Sequence, residues 1–211
     1  LHLIPSGAIH QKKCLIANGV VLDPRVLASE IDSLEAKGIS VDLVIDPLTT
    51  IIMPYHNILD GISERSLKDK EIGTTKKGIG PAYEDKYGRR SIRFIDLLEK
   101  DVFRRKLHEN FILKKKVVEK VYDAEFGLTE EDIFSEYCLL ADRLRNYLGD
   151  VSLLVDNGIG KKDILFESAQ GTFLDITYGT YPYVTSSHPI SGNIFVDVGI
   201  PPQKIDVIGI V

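Results

Sequence analysis

No stretch of the sequence is long and apolar enough to cross a bilayer as a helix, and the opening Leu1-His2-Leu3-Ile4-Pro5 lacks the charged-then-apolar layout of a secretory signal. The cytoplasm is the compartment this implies. Cysteine is scarce: Cys14 and Cys138 stand far apart, with no C-x-x-C spacing and no clustered histidine, which argues against a zinc ribbon or a redox motif. Two buried or half-buried thiols are expected instead. An excess of positive charge is also missing. A formal net charge of -5 offers no basic surface for a nucleic acid. Internal repeats and low-complexity tracts are absent as well.

What is present is an ordinary globular composition, 44% hydrophobic and 27% charged, over 211 residues, enough to bury a sizeable core. The pattern is mixed α/β. Asp23-Pro24 supplies an N-cap and a first-turn proline, Val26, Leu27, Ile31 and Leu34 recur at helical spacing, and Gly38 is placed to stop the helix. An apolar strand is expected at 41–45. A second helix is expected within 51–67, with Pro54 in its first turn or starting it, and a charged connector at 68–71. Residues 101–126 carry apolar side chains at helical spacing up to Gly127, with Lys114-Lys115-Lys116 expected on the solvated face. Thr129 through Asp132 resembles a capping box ahead of a stripe of Ile133, Phe134, Tyr137, Leu140, Ala141, Leu144 and Leu148. A shorter helix follows from Val151. Strands are expected at Ile164-Leu165-Phe166 and over 205–211. The missing initial Met and the closing apolar run point to residues 1–211 as the central part of a single larger domain, truncated at both ends.

Two segments hold more glycine, hydroxyl and charge than folding requires. The first, residues 73–90, contains Gly73, Gly78 and Gly80, Thr74 and Thr75, and Lys86, Arg89 and Arg90. Glycines let backbone N–H groups approach an anion, hydroxyls donate, and the cations neutralise charge, so the segment reads either as a phosphate cradle or as a glycine-rich surface loop. It is not a Walker A loop, because Ile79 and Gly80 follow Gly78 where Lys and Ser or Thr are required. The second segment runs Phe166-Glu167-Ser168-Ala169-Gln170-Gly171-Thr172, then Gly179-Thr180-Tyr181-Pro182-Tyr183-Val184-Thr185-Ser186-Ser187. Uncharged amides and hydroxyls after a strand suit a neutral polar ring and its phosphate. The bland alternative is a packed turn, and Tyr181 and Tyr183 are expected to serve packing.

Gly78-Ile79-Gly80-Pro81-Ala82-Tyr83 with Lys86 and Arg89, followed by Ala169-Gln170-Gly171-Thr172 and residues 179–187, resembles the two signatures of the adenylosuccinate synthetase family. Ile4-Pro5-Ser6-Gly7 and residues 19–24 are similar to it as well. The resemblance implies an α/β fold with a mostly parallel central sheet flanked by helices. That fold is P-loop-NTPase-related, although this chain lacks the N-terminal glycine-rich loop. It implies GTP-dependent ligation of IMP and L-aspartate through 6-phosphoryl-IMP, with Mg2+ bound by ligands outside this chain. Thr75 and Thr185 would hold the IMP 5′-phosphate, Arg89 would reach it from the other subunit of a homodimer, and Gln170 would contact the 6-oxygen. Lys86 lies in the active-site signature and is taken as catalytic with Gln170. The guanine pocket, aspartate loop and catalytic His and Asp of the family fall outside the chain. Accordingly His2, His10, His56, His108 and His188 are read as structural or surface residues. The sequence departs from the family at Ser168, at Thr177-Tyr178 and at residues 187–190. A rival reading is a non-catalytic fragment that binds a nucleoside monophosphate or mediates dimerisation.

Overall fold

The computed structural model describes residues 1–66 and 73–209. Four short strands, β1 (Cys14–Ile16), β2 (Val21–Leu22), β3 (Leu43–Ile45) and β4 (Thr50–Ile51), pair in parallel as β1 with β3 and β2 with β4. The expected central sheet is thus two small parallel ladders among the described residues. An isolated bridge from Ile45 to Leu148 extends the first. The strand expected at 41–45 begins at Leu43.

Helix α1 (Pro24–Glu35) joins β2 to β3 and starts as its sequence dictates. The Asp23 carboxylate accepts the Arg25 N–H at 2.9 Å, and Pro24 occupies the position whose missing N–H costs nothing. Gly38 follows it at φ 75°, the left-handed conformation that stops a helix. Helix α2 (Pro54–Ser66) likewise begins on its proline. The charged connector at 68–71 lies outside the described residues. Next come α3 (Ile79–Tyr87), α4 (Phe94–Leu98) and α5 (Lys100–Lys116). The end of α5 widens into a π-helical turn, Val117–Val121, closed by the Tyr122 N–H on the Val117 carbonyl. Helix α6 (Glu130–Leu144) is capped by Thr129, whose hydroxyl accepts the Asp132 N–H, and α7 (Val151–Gly158) by Asp150. A last short helix, α8 (Ile194–Val198), precedes an irregular tail.

Leu22, Leu27, Ile31, Ile45, Ile51, Phe94, Phe103 and Tyr137 are fully enclosed in one apolar cluster between strands and helices. Tyr137 is buried without polar loss because its hydroxyl donates to the Ile52 carbonyl at 3.0 Å. A smaller cluster of Val21, Ile52 and Ala82, with Ile79 and Tyr83 against it, seats α3 on the strand ends. Cys14 is buried and Cys138 half-buried, both as free thiols.

Several expectations fail here. Lys114 is 3% exposed, because the α5 face carrying it turns inward toward a carboxylate. Residues 164–166 alternate as a strand does, with Leu165 78% exposed and its neighbours half-buried, but no strand among the described residues pairs with them. The end expected to be a buried strand is irregular and open over residues 205–209, with Ile208 85% exposed. Residues 210 and 211 lie outside the described part. No helix is long and apolar enough to cross a membrane among the described residues.

Candidate active site

The first glycine-rich segment is held by one face of α2. His56, Asp60 and Glu64, four residues apart and all buried, line that face. Glu64 accepts the Gly73 and Thr74 N–H groups, and Asp60 accepts the Gly78 N–H at 2.8 Å. Of the glycine amides expected to face an anion, those of Gly73 and Gly78 are therefore already bound to carboxylates. Hydroxyls and cations remain for a phosphate. Thr75 is exposed beside these amides. Gly78 then starts α3 at φ 77°, and a methyl group added there would meet His56 Cβ at 2.9 Å and the Asn57 nitrogen at 3.0 Å. Only glycine satisfies both the backbone conformation and the close approach.

Helix α3 carries the rest of the segment. Lys86 is half-buried, its ammonium donating to the Asn18 carbonyl at 2.9 Å and lying 5.8 Å from the centre of the Tyr83 ring. Burial lowers its pKa, and the nearby Asp197 charge opposes that shift. Arg89 follows the helix at φ 61°, exposed and paired with no carboxylate among the described residues. Tyr83 donates to the Gly19 carbonyl at 2.9 Å, which ties α3 to the loop before β2.

The second segment forms a compact turn around Asp175, which is fully buried. Its carboxylate accepts the Thr177 and Tyr178 N–H groups at 2.8 and 2.9 Å and faces His188 Nδ1 at 3.2 Å. Burial pushes the Asp175 pKa up, but those donors outweigh it and hold the group below the ordinary carboxylate range. The departures at Thr177 and Tyr178 leave this turn intact because only their backbone is used. Gly179 packs so closely that an added methyl would stand 2.4 Å from the Phe173 carbonyl oxygen. The Thr185 N–H donates to the Leu174 carbonyl, so Thr185 is anchored to the same turn. Gln170 sits at its entrance at φ 50° with an exposed side chain. Tyr181 and Tyr183, expected to pack, are 74% and 56% exposed.

The two segments meet at α3. A methyl group at Gly80 would lie 3.3 Å from Ser186 Oγ. The Ser6 N–H and hydroxyl both donate to Glu167, joining the N-terminal match to the second segment. Sequence reasoning missed Asp60, Glu64 and Asp175 as organisers of the loops. The four-residue spacing of His56, Asp60 and Glu64 on a helix was the available signal. No group of three or more His, Cys, Asp or Glu side chains is gathered as a metal donor set among the described residues.

His56 is the buried histidine of this region. The Met53 N–H donates to its Nδ1 at 3.0 Å, so the proton sits on Nε2, which donates to Asp85 at 2.9 Å. Burial lowers the His56 pKa below 6.5, and the Asp85 carboxylate offsets only part of this. Lys114, Glu84 and the edge of the Tyr55 ring complete its surroundings. Below pH 6.5 the unfolded chain therefore binds a proton that the folded chain refuses. The stability this contributes is present above that pH and is lost as pH falls toward the folded-state value. The urea midpoint of the chain is expected to fall between pH 7.5 and 5.5, and His56→Gln to flatten that fall; equal slopes would exclude His56 as the source.

The family model described as adenylosuccinate synthetase matches residues 1–211. The chain is 51% identical over 222 residues to adenylosuccinate synthetase of Geotalea uraniireducens, with all of the chain and 50% of that protein covered. It is 50% identical over 217 residues to that of Geobacter sulfurreducens, with the same coverage. The solved structure of fully ligated adenylosuccinate synthetase from Plasmodium falciparum superposes with a TM-score of 0.84 at 31% identity, over 95% of this chain and 47% of that one. The chain spans about half the length of the curated relatives it matches. An α/β chain with parallel strands, two glycine-rich segments converging on one helix, and a match along its whole length belongs to the adenylosuccinate synthetase family.

Proposed function

We propose that this chain forms the IMP-binding part of an enzyme that joins IMP to L-aspartate at the expense of GTP. The γ-phosphate of GTP passes to the 6-oxygen of IMP, and the aspartate amine then displaces that phosphate to give adenylosuccinate. The observation that carries this reading is the meeting of the two matched segments at α3, where a methyl group at Gly80 would stand 3.3 Å from Ser186 Oγ. Thr75 and Thr185 donate hydroxyls to the 5′-phosphate. Gln170 donates its amide to the 6-oxygen as negative charge develops there, and Lys86 adds a half-buried positive charge on α3.

Magnesium supplies charge neutralisation to phosphoryl transfer. The described residues gather no donor set for it; in this reading its ligands lie outside residues 1–211. In this reading residues 1–211 are the central portion of a larger, P-loop-related, cytoplasmic domain whose triphosphate loop is separate. The match over the whole chain favours this over a non-catalytic fragment that only binds a nucleoside monophosphate or dimerises.

Arg89 is exposed and pairs with no carboxylate among the described residues, as suits a side chain that crosses a homodimer interface to a partner's phosphate. In the complete enzyme, Arg89→Leu is expected to raise KM for IMP by about tenfold or more and leave kcat within about threefold. Mixing it with a Thr75→Ala protein is expected to restore part of the affinity, because some hybrid sites then lack neither contact. No recovery on mixing would remove the shared site.

A further inference from the structure

Asp85 lies at the centre of a buried polar cluster joining three helices. Lys114 of α5 donates to its Oδ1 at 2.6 Å and His56 of α2 to its Oδ2 at 2.9 Å, and the three residues are 1–3% exposed. Burial alone would raise the Asp85 pKa. The hydrogen bonds from His56 and then Lys114, with the charge beside them, hold it below the ordinary carboxylate value instead. Apolar side chains can join helices as firmly as a buried ion pair does, and often more so, because they avoid its desolvation cost. What the pair adds is direction: a carboxylate bound on both oxygens fixes the rotation of the helix that carries it.

That direction matters at α3. Asp85 is next to Lys86 and four residues before Arg89. It also grips the turn beyond the helix. The Arg90 N–H donates to the Asp85 carbonyl at 2.9 Å, and the Arg90 guanidinium lies 3.4 Å from Oδ1. Arg89, at φ 61°, is thus held between contacts made by one residue.

Resting on the function proposed above, we infer that Asp85, held by His56 and Lys114, is a positioning residue that aims Arg89 at the phosphorylated substrate. It does not touch substrate. In the complete enzyme, assayed well below each variant's melting temperature, Asp85→Asn is expected to raise KM for IMP about tenfold while kcat changes less than about threefold. Lys114→Arg is expected to retain a lower KM than Lys114→Met. A lower melting temperature with unchanged KM would show a merely structural cluster and overturn the inference. If Asp85→Asn does not fold, the same comparison is made with Lys114→Gln, which retains a donor to Asp85. Hydrogen exchange separates this test from the function reading. Without IMP, the variant is expected to exchange faster over residues 79–90 while α1 and α6 remain as in wild type; equal exchange overturns the clamp. Selective loosening in a protein whose wild type never turns over IMP overturns the function reading alone.

Discussion

Gln170→Ala in the complete enzyme is expected to lower kcat by about two to three orders of magnitude, the loss typical of one oxyanion donor, with KM for IMP nearly unchanged. The backbone supports this role. Gln170 is held at φ 50°, a conformation that disfavours a residue with a Cβ by about 1 kcal/mol, and the surrounding turn maintains it. The turn is closed behind it by the Leu174 N–H on the Gly171 carbonyl at 2.9 Å and by the buried Asp175 carboxylate. With its backbone already ordered, Gln170 has only side-chain rotamer freedom to lose on meeting its ligand. An amide also suits the chemistry, since it donates to a developing oxyanion without giving up its proton. Because the contact strengthens as charge builds, its loss falls on kcat rather than on ground-state affinity. Rapid-quench measurement of 6-phosphoryl-IMP formation places the effect on the first step; an unchanged kcat would remove Gln170 from the mechanism.

The helices were legible because their ends carry explicit chemistry. Asp23-Pro24, Pro54 and Thr129 each mark a helix start found in the structure. The strands were less legible. Ile164-Leu165-Phe166 has the composition of a strand, but pairing depends on a neighbour, which composition does not encode. Lys114 shows a related failure. In a run of three lysines a solvated face is the economical expectation, and only the three-dimensional proximity of Asp85 makes burial tolerable. The same holds for the first glycine-rich segment. Its glycines suggested amides open to an anion, whereas Asp60 and Glu64, which bind the Gly78 and Gly73 amides, come from a helix read only for its apolar period. The two signatures were legible through resemblance. Their meeting across Gly80 and Ser186 became visible only in the fold.

The 211-residue chain, given IMP, GTP, aspartate and magnesium, is expected to form no adenylosuccinate, whereas a hybrid in which it replaces the matching part of the Geobacter sulfurreducens protein is expected to form it. A triphosphate needs a cradle of free amides and a metal. Here the Gly73, Thr74 and Gly78 amides are bound to Glu64 and Asp60, the segment lacks the Lys and hydroxyl of a Walker loop, and no metal donor set occurs among the described residues. Catalytic groups that act as a unit are strongly non-additive, so losing several removes turnover instead of scaling it down. What the proposed function assigns to the chain, Thr75, Gln170, Thr185 and Lys86, would serve one substrate and one oxygen. The exposed Leu165, Phe173, Tyr178 and Tyr181, each more than two-thirds open, give the rest of the protein an apolar surface to cover in the hybrid. Following adenylosuccinate by its absorbance in both proteins decides the matter. Sustained turnover by the chain alone would mean that it carries its own triphosphate and metal site, and an inactive but folded hybrid would count against the IMP-binding role proposed for these residues.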